Sequence, residues 1–301
     1  MAATPHDSVL PVPARSGGVL TDLREIASDM WTRRDLLYQL ARRDVRIRYK
    51  QAVMGFAWAI FMPLLVVLAG FLIRLAMATV SGSELQTTTV AGLAVKSLPW
   101  AFFVGSIGFA VNSLTGNMNL VTKVYFPREV LPIASIGAQL FDTMIGAAGL
   151  LVILPFLGVR PTLALLWVPL LALILILFTA ASGLFLSCAN LFFRDVKYIV
   201  QVLLTFGIFF TPVLFEPVML GPTGAQVIML NPLAPLLEGV RLAVVQGHNL
   251  AEPLMQLTKH GTEAVAWHPW YLVYSGAWAV IGLIGSALMF HRLEFVFAEY
   301  V

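Results

Sequence analysis

Charge is scarce in this chain, and that scarcity sets the first bound on its class. Asp, Glu, Lys and Arg make up 12% of the 301 residues, against about 25% in an average soluble domain, while 59% are hydrophobic. The uncharged runs are too long for a globular core and have the length needed to cross a hydrocarbon layer of about 30 Å. Cysteine is nearly missing too. Cys188 has no partner in the chain, so a disulfide framework and a cysteine metal site are both excluded, and it reads as a small buried apolar residue. A phosphate-cradling loop is also lacking: the nearest stretch, residues 92–97, has Val95 where a second glycine must let backbone amides approach the phosphates. The chain is therefore not expected to cradle a nucleotide phosphate in this way. No acid-base pair, metal-ligand spacing or nucleophile elbow stands out, so no catalytic residue and no metal is expected. His260, Glu263 and His268 read as solvated loop residues, and no cleavable signal pattern precedes the first apolar stretch. The basic excess of +3 does not point to nucleic acid, because the basic residues concentrate before residue 51.

What is present is a set of six apolar runs. Their limits predict spans at residues 52–76, 98–117, 130–157, 163–187, 198–216 and 270–290. Gly158, Arg160 and Pro161 form a turn that makes the third and fourth a tight hairpin. Between the fifth and sixth, Gly221, Pro222, Gly224, Pro232 and Pro235 disfavour a continuous helix and predict short helices lying at or dipping into the outer face, with a plain exposed loop as the alternative. Fourteen Lys and Arg fall on the side of the N-terminus and five on the other, so both termini are expected in the cytoplasm.

Residues 1–19 read as a flexible tail and residues 20–50 as amphipathic interface helices. Leu20, Leu23, Ile26, Ala27 and Met30 recur at helical spacing, with Trp31 as an interfacial aromatic. A second helix starts at Asp35 and carries Arg42, Arg43, Arg46 and Arg48; an anionic leaflet and a docked protein are both open as its partner. Between spans two and three, Pro127 disfavours helix at Phe126, and Glu129 suits the positive end of the next helix. The chain should break there, exposing Tyr125 and Phe126 between Lys123 and Arg128 either as a plug for a pocket on another protein or as interface aromatics.

These residues carry a family resemblance that covers nearly the whole chain. Arg42, Arg43, Asp44 and Val45, then Arg48, Tyr49 and Lys50, then Gly55, Phe56, Ala57, Trp58 and Pro63, resemble the ABC-2 type permeases that export O-antigen, capsule and teichoic-acid polysaccharides. The resemblance continues through residues 123–130, through Phe193, Arg194, Asp195 and Val196, and through Thr211 with Pro212, Asn231 with Pro232, and residues 295–299. It implies an all-α integral membrane protein with six transmembrane helices per subunit, an N-terminal amphipathic interface helix, and short outer-face helices between spans five and six. It also implies a homodimer in a bacterial cytoplasmic (inner) membrane, paired with a separate ABC ATPase subunit that holds ATP and Mg. Lys123, Tyr125, Phe126, Pro127, Arg128 and Glu129, with Arg194 and Asp195, would couple to that ATPase.

A sugar polymer crossing lipid needs an aromatic or polar path, because unsatisfied hydroxyls in hydrocarbon cost several kcal/mol each. Candidates are Trp58, Trp100, Phe102, Phe103, Phe109, Phe141, Phe209 and Phe210, with Asn112, Asn117 and Asn119. Asp142, Glu216 and Arg74 are intramembrane ionisable candidates, Asp142 equally readable as a buried partner of a neighbouring helix and Arg74 as snorkelling. The function expected is export of a lipid-linked polysaccharide. An exporter of a small lipid, drug or haem, and an integral-membrane acyltransferase or glycolipid enzyme, are the alternatives.

Overall fold

The computed structural model describes residues 18–50, 57–81, 87–123, 126–257, 261, 263–294 and 297. Most of the expected tail, the start of the first span, Tyr125, His260 and most of residues 295–299 lie outside them. The elements are α1 (Val19–Thr32), α2 (Arg34–Tyr49), α3 (Ala57–Ser81), α4 (Thr87–Val111), α5 (Met118–Lys123), α6 (Val130–Ile153), α7 (Trp167–Phe192), α8 (Val196–Gly207), α9 (Gly221–Ile228), α10 (Ala234–Arg241) and α11 (Trp270–Leu293). A two-stranded antiparallel hairpin, β1 (Leu254–Leu257) with β2 (Glu263–Trp267), precedes α11.

Among the described residues, four segments are long and apolar enough to cross a membrane: Thr87–Val111, Val130–Leu157, Leu163–Phe192 and Trp270–Leu293. Leu64–Val80 and Val196–Gly207 are shorter apolar helices. The α6–α7 turn sits where the sequence puts it, with Gly158 in a left-handed conformation at φ 79° that a side chain would strain. The long helices approach closely through small residues. A Cβ on Gly183 of α7 would stand 3.0 Å from Ile136 of α6 and 3.2 Å from Ala110 of α4, so three helices meet there only because that side chain is missing.

Three features differ from the sequence reading. α4 begins at Thr87, not at residue 98, because Lys96 is buried and paired inside the helix and its charge does not end it. α8 has 12 residues, about 18 Å of helix, where a span of residues 198–216 was predicted. Past Gly207 the chain leaves the α-helix for a run of turns, and Pro212 lacks the amide needed to continue one. The hairpin is the third; it escaped notice because its strands are only four and five residues long, too short for an alternation of apolar and polar residues to stand out.

Two buried clusters fill opposite ends of the bundle. At the hairpin end, Trp100, Phe102, Leu171, Leu236, Leu237 and Trp267 join α4, α7, α10 and β2. At the α1 end, Leu40, Leu114, Phe126, Val130, Leu184, Leu191, Phe290 and Phe297 join α2, α6, α7 and α11. The short helices foreseen between α8 and α11 are present, and every residue of α10 except one is buried against the rest of the chain.

Candidate functional site

At the α1 end, α2 lies along α6. Ala41 faces Gly137, and the contacts then climb both helices in the same direction. Ser135 reaches Asp44 Oδ2 at 3.5 Å, while Arg43 pairs with Asp44 at 2.9 Å and donates to Asn117 Oδ1 at 3.0 Å. One turn on, Arg48 Nη1 donates to Asp142 Oδ2 at 2.6 Å and to Gln139 Oε1 at 2.9 Å, and Tyr49 Oη donates to Asp142 Oδ1 at 2.6 Å. The Arg48 guanidinium also lies 3.6 Å above the Phe109 ring, a cation–π contact. Burial, then the Asp142 carboxylate, push the Tyr49 hydroxyl well above its ordinary range. Asp142, a sequence candidate for the transport path, is thus the buried acceptor that fixes the end of α2 to α6.

The break at Pro127 is where the sequence puts it, but Phe126 points inward. It is 7% exposed among Leu114, Val130, Phe290 and Phe297, because an adjacent apolar pocket rewards burying its ring. Its expected exposure is therefore corrected, and Tyr125 beside it lies outside the described residues. Arg128 clamps this segment to the end of α11: its amide donates to Glu294 Oε1 at 3.2 Å, its guanidinium donates to the Glu294 carbonyl, and it lies 5.8 Å from the Phe297 ring. Glu129 is buried beside His291. Burial, then the Glu129 carboxylate, push the Glu294 carboxyl up to about 7. Arg292 joins α11 to Asp22 of α1 at 3.1 Å. By contrast, Phe193, Arg194 and Asp195 are exposed in the turn between α7 and α8. The Asp195 carbonyl accepts the Tyr198 and Ile199 amides, and Asn190 Oδ1 accepts the Lys197 amide at 3.1 Å. That turn is a firm, solvent-facing knob.

The path candidates do not form one lining within a single chain. Trp100 and Phe103 pack in the interior, Phe103 stacking on Phe178 at 5.9 Å, and Phe102 is buried. Trp58, Phe141, Phe209 and Phe210 are exposed, as are Asn112 and Asn119. Glu216 belongs to a buried ionic cluster that sequence reasoning missed as a unit. In it, Arg241 Nε donates to Glu238 Oε1 at 2.9 Å, Lys96 Nζ stands 3.8 Å from Glu238 Oε2, and Lys96 donates to the Phe215 carbonyl at 2.5 Å. Glu216 bridges Arg241 at 3.7 Å and Arg74 at 4.0 Å. Lys96, Glu238 and Arg241 are 1%, 0% and 4% exposed. The available signal was the Glu238–Arg241 spacing of three on one helix, which faces a lone lysine in an otherwise uncharged span.

Two motifs separated in sequence meet beside this cluster. Asn231 donates to the Phe210 carbonyl at 3.2 Å and to Thr211 Oγ1 at 3.1 Å, and accepts the Leu233 amide at 3.1 Å. Between α4, α6, α7 and α10 lies a cavity of about 600 Å³, walled by Leu98, Phe102, Leu140, Leu154, Leu175 and Val240 among other apolar side chains. Such a lining suits hydrocarbon and not sugar.

Long apolar helices packed through small residues, with their few charges paired inside, define a multi-pass α-helical membrane protein. Residues 35–245 match the ABC-2 type transporter family, and the chain belongs to it. The match runs from α2 through the turn after α10, so it includes the α2–α6 seam, the 126–130 elbow and the ionic cluster. The chain is similar to the O-antigen export system permease protein RfbA of Myxococcus xanthus, 31% identical over 236 residues that cover 77% of this chain and 89% of that protein. It is also similar to two proteins of that description from Klebsiella pneumoniae. One is 28% identical over 214 residues, covering 71% of this chain and 81% of the relative. The other is 28% identical over 204 residues, covering 67% and 77%.

Proposed function

We propose that this chain is the permease subunit of an ATP-driven exporter that carries a lipid-linked polysaccharide, of O-antigen, capsule or teichoic-acid type, across the bacterial cytoplasmic membrane. The observation that carries the reading is the similarity to O-antigen export permeases over most of both chains. Two copies would pair with two copies of a separate ATPase that binds ATP and Mg, and both termini would be cytoplasmic. Six spans per copy follow if α3 and the short α8 also cross, α8 with the turns that follow it. In that pairing a second copy would cover the exposed apolar side of α8, including Val202, Leu203 and Phe206, in place of lipid. Phe209 and Phe210 would then stand near the shared path with Trp58, Phe141 and Asn112, presenting ring faces and an amide to sugar.

In coupling, the exposed Phe193, Arg194 and Asp195 would meet the ATPase directly. Lys123, Tyr125, Phe126, Pro127, Arg128 and Glu129 would pass its motion into α6, with Phe126 acting as a buried anchor. The test is co-expression with a candidate ABC ATPase subunit, followed by purification of wild type and of Arg194→Glu with Asp195→Lys. Association in the wild type, lost in the double variant, together with intracellular accumulation of glycan in cells carrying that variant, is expected. Absence of any associated ATPase, with the chain alone converting a lipid substrate, would replace this reading with a membrane enzyme.

A further inference from the structure

We propose that Glu129, His291 and Glu294 form a binding site for a divalent transition-metal ion at the elbow before α6. The residues come from two segments some 160 positions apart, and one ligand atom from each lies within 4.8 Å of the others. That separation in sequence is why no metal-ligand spacing was visible. The three donors would have to close by about 1 Å to reach metal–ligand bonds of about 2.0–2.2 Å, a movement within reach of side-chain rotation.

An unsatisfied carboxylate points to the ion. Glu129 is 3% exposed, and among the described residues neither of its oxygens has a hydrogen-bond partner. Buried charges are paired or coordinate metals, because nothing else replaces their lost water. The nearest group is His291, whose Nδ1 lies 3.5 Å from Glu129 Oε1, and whose Nε2 is likewise without a hydrogen bond among the described residues. On the far side of the ring, Nε2 stands 3.8 Å from Glu25 Oε2 of α1. A carboxylate behind a histidine is the arrangement that fixes the tautomer of a metal-ligating imidazole, so Nδ1 would ligate while Nε2–H faces Glu25. Glu294 has Oε1 occupied by the Arg128 amide, which leaves Oε2 to ligate.

Donor type narrows the ion. Two carboxylates with one imidazole suit Zn²⁺ or Mn²⁺ over Mg²⁺ or Ca²⁺, which favour all-oxygen sets. Bound there, the ion would tie the elbow and α6 to the end of α11, with α1 behind the histidine. This inference does not rest on what the protein exports, and its test involves no transport.

The full-length chain, purified in detergent and stripped with chelator, is titrated with Zn²⁺ and separately with Mn²⁺ against a chromophoric competitor. One equivalent per chain is expected, with affinity lowered tenfold or more in Glu129→Gln and in His291→Gln and unchanged in His248→Gln, whose imidazole lies elsewhere. Because a variant could fail to fold, the Co²⁺ form of the wild type is also recorded, and a visible spectrum of mixed nitrogen and oxygen ligation is expected. A folded wild type that binds none of the three ions, or equal affinity in both site variants and wild type, overturns the proposal.

Discussion

The ionic cluster at the hairpin end and the polar seam between α2 and α6 are both built on pairs of arginine with a carboxylate, yet they answer to different physics. Lys96, Glu238 and Arg241 are almost wholly shielded, so each charge depends on its partner for nearly all its stabilisation. In the seam, the Arg43 and Asp44 side chains are 36% and 21% exposed, and water shares the load. Arg48 and Asp142 fall between, at 16% and 12%. The lesson is that depth, more than the number of contacts, decides what losing a partner costs.

That ranking can be broken by substitutions at three sites, each read by thermal unfolding of the purified chain. Glu238→Gln strips Lys96 of its carboxylate partner and leaves Arg241 only the longer contact to Glu216 at 3.7 Å, and a loss of about 3–5 kcal/mol is expected. Adding Lys96→Met should then lower stability by less than the two changes do separately, because the stranded lysine is what Glu238→Gln makes expensive. Asp142→Asn removes the charge from two 2.6 Å hydrogen bonds and should cost about 1.5–3 kcal/mol, loosening α2 from α6. Arg43→Ala, at the most exposed of the three sites, should cost less than about 1 kcal/mol. A loss from Arg43→Ala equal to that from Glu238→Gln would overturn the ordering by depth.

Much of the architecture was legible because lipid demands uncharged helices of fixed minimum length, and such runs are visible in any sequence. The α6–α7 turn at Gly158 and the break at Pro127 follow from backbone chemistry alone. Reading failed where tertiary partners overruled local rules. Lys96 looked like the end of a run because a charge in lipid is costly, but Glu238, far along the chain, removes that cost. Phe126 looked exposed because it sits at a break between charged residues, and only the surfaces of α6 and α11 turn it inward. The grouping of Glu129, His291 and Glu294 left no trace in sequence spacing, since pairwise distance across helices is not encoded locally. Asn231 with Thr211 shows the converse: two weak motifs become intelligible once they are seen to bond to one another.

The climb of α2 alongside α6 has a mechanical consequence. With Asp44 and Arg48 fastened to successive turns of α6, and Arg128 fastened to the foot of α11, a force delivered at the elbow, under the proposed coupling, would move a three-part lever as one stiff piece. α8 buries only Val200 and is held along one side by α4 and α7. A stroke of that lever would therefore leave α8 as the member that yields, the hinged panel of an otherwise rigid frame.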